Sequence, residues 1–162
     1  MIPMKQLTLV TLAFAAVTIV ALGAGTTADD SNIGTWTLNV ARSKFDPGPA
    51  PKSQTHTIEA WDDDGVKFIS DGEDAEGKPV HWELQAKYDG KFYEFKGNPN
   101  ADMAAYKRID ANTVHMTTRL GGKQNTSSMI VVSKDGQTRT LTQVGTNAKG
   151  QKINNVIVYE RK

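Results

Sequence analysis

From residue 34 to the C-terminus, apolar and polar positions alternate in short runs set off by turn residues. The clearest run is 80–88, where Val80, Trp82, Leu84, Ala86 and Tyr88 fall on one side and His81, Glu83, Gln85 and Lys87 on the other. A period of two is that of a strand with one face buried and the other wet. The same period marks 34–40, 54–61, 66–70, 92–96, 103–109, 113–120, 126–133, 138–144 and 153–160. Between these runs stand Asp64-Gly65, Glu76-Gly77, Asp89-Gly90, Asn98-Pro99, Ala111-Asn112, Gly121-Gly122, Asp135-Gly136 and Lys149-Gly150, spaced as hairpin turns. The pattern predicts an all-β chain folded as a single antiparallel up-and-down β-barrel of eight to ten strands, with 92–96 and 103–109 the weakest. Closure is favoured over an open sheet because it removes both exposed edges, and a two-sheet sandwich is the alternative. With ten strands rather than eight, the barrel is expected to enclose a cavity, since diameter grows with strand number.

Two stretches depart from the alternation. At the N-terminus, Lys5 is followed by an apolar run from 7 to 23 and small residues to Ala28, the shape of a helical signal peptide. Cleavage is expected after Thr26-Thr27-Ala28, with 23–25 as the competing site. The alternative is an uncleaved membrane anchor, since roughly 17 to 19 residues approach the length that spans a bilayer. The expected layout is a signal peptide at 1–28 and one barrel domain at 29–162, with Thr26 to Asn32 read as a flexible lead-in. The second stretch is 41–52, where Pro47, Pro49 and Pro51 block helix and central strand alike. It is expected to be an ordered loop with one helical turn near 43–45.

Composition and charge narrow the function. The chain has 19 Lys and Arg against 18 Asp and Glu, and Lys5 is the only charged residue of the leader, so the mature domain is neutral. That balance speaks against nucleic acid as a partner. The chain has no cysteine, which excludes disulfides, thiolate catalysis and cysteine-rich zinc sites. An exported domain without disulfides fits a bacterial periplasm, or secretion from a bacterium. Once the leader is removed, no stable membrane insertion is expected.

The two ends of the domain carry a resemblance. Gly34-Thr35-Trp36-Thr37-Leu38 resembles the Gly-x-Trp first strand of the calycins, the superfamily of lipocalins and intracellular fatty-acid-binding proteins, whose tryptophan closes the barrel floor. Val158-Tyr159-Glu160-Arg161 is similar to the last strand of the fatty-acid-binding branch, which ten strands with Asp-Gly hairpins also fit. The resemblance implies a lipocalin-like barrel holding a small apolar or amphipathic molecule. That branch inserts a pair of helices after its first strand, for which 41–52 is too short. It also carries an arginine two residues before the tyrosine, where this chain has Ile157.

The candidate ligand-binding residues are Phe68, Trp82, Leu84, Tyr88, Arg139 and Tyr159. The first four line either a cavity or a packed core, because ligand pockets are themselves mostly apolar. Arg139 shares a face with Leu141 and Gln143. If Leu141 points inward, so does the guanidinium, which suits a carboxylate through two parallel hydrogen bonds. If Thr138, Thr140, Thr142 and Val144 are the inward set, Arg139 is a surface charge. Arg119 is read as exposed. His56, His81 and His115 lie on separate strands and are read as solvated surface groups rather than a zinc site.

No segment offers a nucleophile with a base and an orienting group. The expected protein is an exported lipocalin-like binding protein with no cofactor, metal or catalytic residue. One alternative is an enzyme using the barrel cavity, with Tyr88, Tyr159 or a histidine as acid or base. Another is an envelope-associated interaction protein with a filled barrel. An enclosed volume above about 300 Å³ favours ligand binding or catalysis, and a filled core favours the last reading.

Overall fold

The computed structural model describes residues 30–162, so the expected signal peptide at 1–28 lies outside the described residues. Ten strands follow one another: β1 (Gly34–Leu38), β2 (Ser53–Trp61), β3 (Gly65–Glu73), β4 (Pro79–Lys87), β5 (Asp89–Lys96), β6 (Met103–Arg108), β7 (Thr113–Leu120), β8 (Lys123–Val132), β9 (Thr138–Thr146) and β10 (Lys152–Arg161). Each pairs antiparallel with its sequence neighbour, and β1 pairs antiparallel with β10, so the sheet closes into a barrel. Every alternating run becomes a strand, the short runs of β5 and β6 included. Closure removes the free edge strands through which another chain could pair, except along the short β4–β5 ladder.

The alternation also decides which face is inside. Trp36, Ile58, Val66, Phe68, Leu84, Phe95, Tyr106, Val114, Ile130, Leu141 and Tyr159 form one buried cluster. Each large apolar side chain removed from water contributes about 1.5–3 kcal/mol. A one-residue slip of any strand would turn its share outward, so the register is strongly specified.

The ladders differ in length. β2 and β3 pair continuously from Ser53 opposite Glu73 to Trp61 opposite Gly65. By contrast, β4 and β5 pair only at Glu83 with Lys96 and Leu84 with Phe95. The chain leaves this short ladder at Gly97, whose φ is 76°. A Cβ there would stand 2.2 Å from the His81 carbonyl oxygen, so only glycine allows so close an approach.

The proline-rich loop after β1 is ordered, as expected, but its helical turn comes earlier than 43–45. A single 3-10 turn spans Val40–Arg42, capped by Asn39 Oδ1 accepting from the Arg42 amide at 3.0 Å. The asparagine cap fixes where the turn starts. Beyond it the loop is strapped to β10, where Asp46 N–H donates to Asn155 Oδ1 at 2.8 Å, and to β3, where Lys52 N–H donates to the Glu73 carbonyl at 3.1 Å. Phe45 packs from this loop against the core.

Candidate functional site

Residues ahead of β1 build the floor of the barrel. The Asp30 carboxylate accepts from both terminal nitrogens of Arg108 on β6, at 2.9 and 3.4 Å, from the Tyr88 hydroxyl, and from the backbone and side-chain N–H groups of Asn32. Burial pushes this carboxyl up, but the hydrogen bonds from Arg108, Tyr88 and Asn32 outweigh it and hold its pKa below the ordinary value. Burial, with the Asp30 charge adding to it, raises the Tyr88 hydroxyl, which stays a donor. Trp36 donates its indole N–H to the Asn32 carbonyl at 2.8 Å. Arg161 donates to the Ser31 and Ile33 carbonyls at 2.9 Å while lying 4.2 Å from the centre of the Trp36 ring. The lead-in at 30–32 is therefore not flexible. A buried carboxylate paired with arginine and tyrosine anchors it as a plug.

From the plug a chain of hydrogen bonds enters the interior. Asn32 Oδ1 accepts from Arg139 Nε at 3.3 Å, and Arg139 Nη1 stands 3.2 Å from His56 Nδ1. Arg139 is 2% exposed and Leu141 8%, so the inward alternative for this strand is the one realised. Arginine can only donate, so His56 Nδ1 accepts and the neutral ring carries its proton on Nε2. Burial, and then the Arg139 charge, hold the His56 pKa well below its ordinary value. Among the described residues Arg139 forms no ion pair. The Tyr159 ring packs 4.1 Å from the His56 ring and donates its hydroxyl to Gln54 Oε1 at 2.6 Å.

Register carries the polar group along the wall. His56 on β2 pairs with Ser70 on β3, and Ser70 pairs with Trp82 on β4. Among the described residues His56 Nε2, Ser70 Oγ and Trp82 Nε1 have no hydrogen-bond partner, nor does Ser128 Oγ on β8. Each such orphan costs about 1–3 kcal/mol, and native interiors keep few of them.

Phe68, Tyr88, Tyr106, Ile130 and Arg139 are among the residues lining a void of about 10 Å³. It has room for about one water. The large cavity expected from ten strands is not found at this point, because Trp36, Phe68, Tyr88, Tyr106 and Tyr159 all point inward and take up the added width. A larger space, about 400 Å³, is a groove open to solvent beside the short β4–β5 ladder, lined by Trp61, Lys67, Gln85, Tyr93, Glu94 and others. Its lining includes the predicted ligand residue Leu84.

Phe68, Tyr88 and Arg139 thus meet at one void, and Tyr159 adjoins it through His56. Trp82 is half-buried higher on the wall, its ring 6.3 Å from that of Phe95 and at 90° to it. The reading of His56 as a surface group is corrected: it is 5% exposed. It shares its face with Gln54 and Ile58, both buried, and that parity was the signal in the sequence. Asp30, Asn32 and Arg108 carried no such signal, since the contacts that bury them, Asp30 with Arg108 and Asn32 with Arg139, join residues far apart in the chain. His81 is exposed between Asp71 at 2.6 Å and Glu83 at 3.0 Å, whose hydrogen bonds raise its pKa. His115 is half-buried, 2.7 Å from Ser127 Oγ. Arg119 is exposed, lying 3.7 Å from the centre of the Phe92 ring.

No family model matches the chain, and no curated protein matches it. Among solved structures, the crystal structure of the wild-type fluorescent protein UnaG is similar, with a TM-score of 0.53 and 14% identity over 81% of this chain and 97% of that one. The likeness concerns the fold alone: this chain, like that protein, folds as an antiparallel β-barrel.

Proposed function

We propose that the mature domain is an exported protein, periplasmic or secreted, that holds a small amphipathic molecule inside the barrel with its acidic end at Arg139. The observation that carries this reading is the buried guanidinium without a carboxylate partner, set beside the His56 N–H group. A buried cation without an anion is costly. A ligand carboxylate supplies that anion through two parallel hydrogen bonds. Loading requires the inward aromatic side chains to shift, since the void at Arg139 has a volume of only about 10 Å³. The loaded barrel is therefore wider than the one described.

Native mass spectrometry of the protein purified gently from a bacterial envelope tests this. The expected result is a copurified acidic molecule that is released on denaturation and absent from Arg139→Met. Repeated ligand-free spectra from the wild-type protein would count against it. They would favour a filled barrel whose outer surface meets a partner, a reading supported by the small void and by Met129, Val131, Val144 and Val156. Those four side chains are exposed along the outside of β8 to β10.

A further inference from the structure

We infer that the molecule held at Arg139 is not a plain alkyl acid but one that carries hydrogen-bond acceptors along its body, met by the row His56, Ser70 and Trp82. This rests on the binding reading above and goes beyond it in naming the chemistry of the ligand.

Three features of the row support it. Neighbouring strands stand about 4.8 Å apart, so the row runs roughly 10 Å across the wall, from His56 beside Arg139 to Trp82. His56 Nε2 and Trp82 Nε1 can only donate, while the Ser70 hydroxyl can donate or accept. All three lack a partner among the described residues, and Ser70 and His56 are 0% and 5% exposed. An alkyl chain laid along this wall would leave every one of them unpaired, at about 1–3 kcal/mol each. Acceptors about 5 and 10 Å from the acid group would satisfy them. Phe68 meets the His56 ring edge-on at 4.7 Å, and Phe95 meets Trp82 edge-on at 6.3 Å. A flat, unsaturated body suits the aromatic surfaces that flank the row. A site built around hydrogen bonds to its ligand rejects analogues that lack the matching groups.

Calorimetric titration of the intact domain with decanoate, cinnamate and 4-methoxycinnamate tests the inference. The expected order places 4-methoxycinnamate at least tenfold tighter than decanoate. Trp82→Phe should reduce its advantage over cinnamate to less than twofold, with decanoate binding unchanged. Ser70→Ala, a small change in a packed strand, should leave the order of the three acids unchanged, since none of them carries an acceptor about 5 Å from its acid group. In proton–nitrogen correlation spectra, the Trp82 indole N–H should move on addition of 4-methoxycinnamate and stay in place with decanoate. Equal or tighter binding of decanoate, or an advantage over cinnamate that survives Trp82→Phe, overturns the inference while the binding reading stands. Failure of all three acids to bind overturns both.

Discussion

Arg139 Nη1 and His56 Nδ1 stand 3.2 Å apart inside the barrel, and because the arginine can only donate, this contact fixes which histidine nitrogen holds the proton. The buried ring is neutral, and its folded pKa lies well below the ordinary value of 6.5. Such a group contributes stability that is fully present above its unfolded pKa. As pH falls through about 6.5, the unfolded chain takes up a proton that the folded chain refuses, and stability drops by about 1.4 kcal/mol per pH unit. Urea unfolding at pH 7.5 and at pH 5.5 should show this loss. His56→Asn, which keeps an acceptor facing Arg139, should flatten it. An equal slope in both proteins would show that the loss comes from elsewhere.

The floor plug makes a second, more acidic prediction. The folded pKa of Asp30 is depressed below 3.8, so its contribution is present above that value and lost as pH falls from it toward the folded one. Asp30→Asn should lower stability at neutral pH by about 2–3 kcal/mol, because Arg108 and Tyr88 lose a charged partner. Arg108 is 30% exposed on its side chain, which keeps the loss below that of a fully buried pair. Acid titration followed by circular dichroism should show the variant less sensitive than wild type below about pH 4. A variant as stable as wild type at pH 7 would mean that the plug is not held by charge.

How far the sequence reached follows from the range of the interactions. Strand alternation is local, and it placed Trp82, Leu84 and Tyr88 on one face and tied the direction of Arg139 to that of Leu141. The choice between inward and outward for Arg139 needed the facing strands: Val132 and Tyr159 pair with it, and both are buried. Asp30 and Arg108 are 78 residues apart, and no spacing rule connects a lead-in residue with the end of β6. Likewise the row His56, Ser70 and Trp82 exists only once two hairpin registers are set. A histidine in an alternating run carries weak sidedness by itself, and Ile58, two positions on and buried, was the local sign that His56 faces inward. The interior volume was misjudged for a different reason. Strand number sets the width of the barrel, but the size of the inward side chains sets what remains.

Gly97, immediately after β5, is pressed against the backbone of β4. Gly97→Ala combines a left-handed φ of 76° with a Cβ placed 2.2 Å from the His81 carbonyl oxygen. The atoms this Cβ would meet are all backbone of His81 and Trp82, which cannot swing aside as a flexible side chain would. Stability should fall by on the order of 2 kcal/mol or more. Amide exchange should rise first at 83–84 and 95–96, where that ladder has its paired residues. Uniform exchange across the barrel would show that the seam is not the weak side of the wall.

Arg139→Met separates stability from function. The guanidinium is buried without an anion, and its removal relieves a desolvation cost that two hydrogen bonds, to Asn32 and His56, only partly offset. Methionine is flexible and fills the space that the arginine stem occupied. The ligand-free variant should stay within about 1 kcal/mol of wild type, because the relieved desolvation offsets the Asn32 and His56 acceptors it leaves unpaired, read as a nearly unchanged urea midpoint and slope. It should also fail to retain an acidic ligand through purification. Stability kept while binding is lost is the pattern of a residue retained for function rather than for the fold. A loss of several kcal/mol instead would identify Arg139 as a structural tie between the plug and the wall, and the anion site would lose its main support.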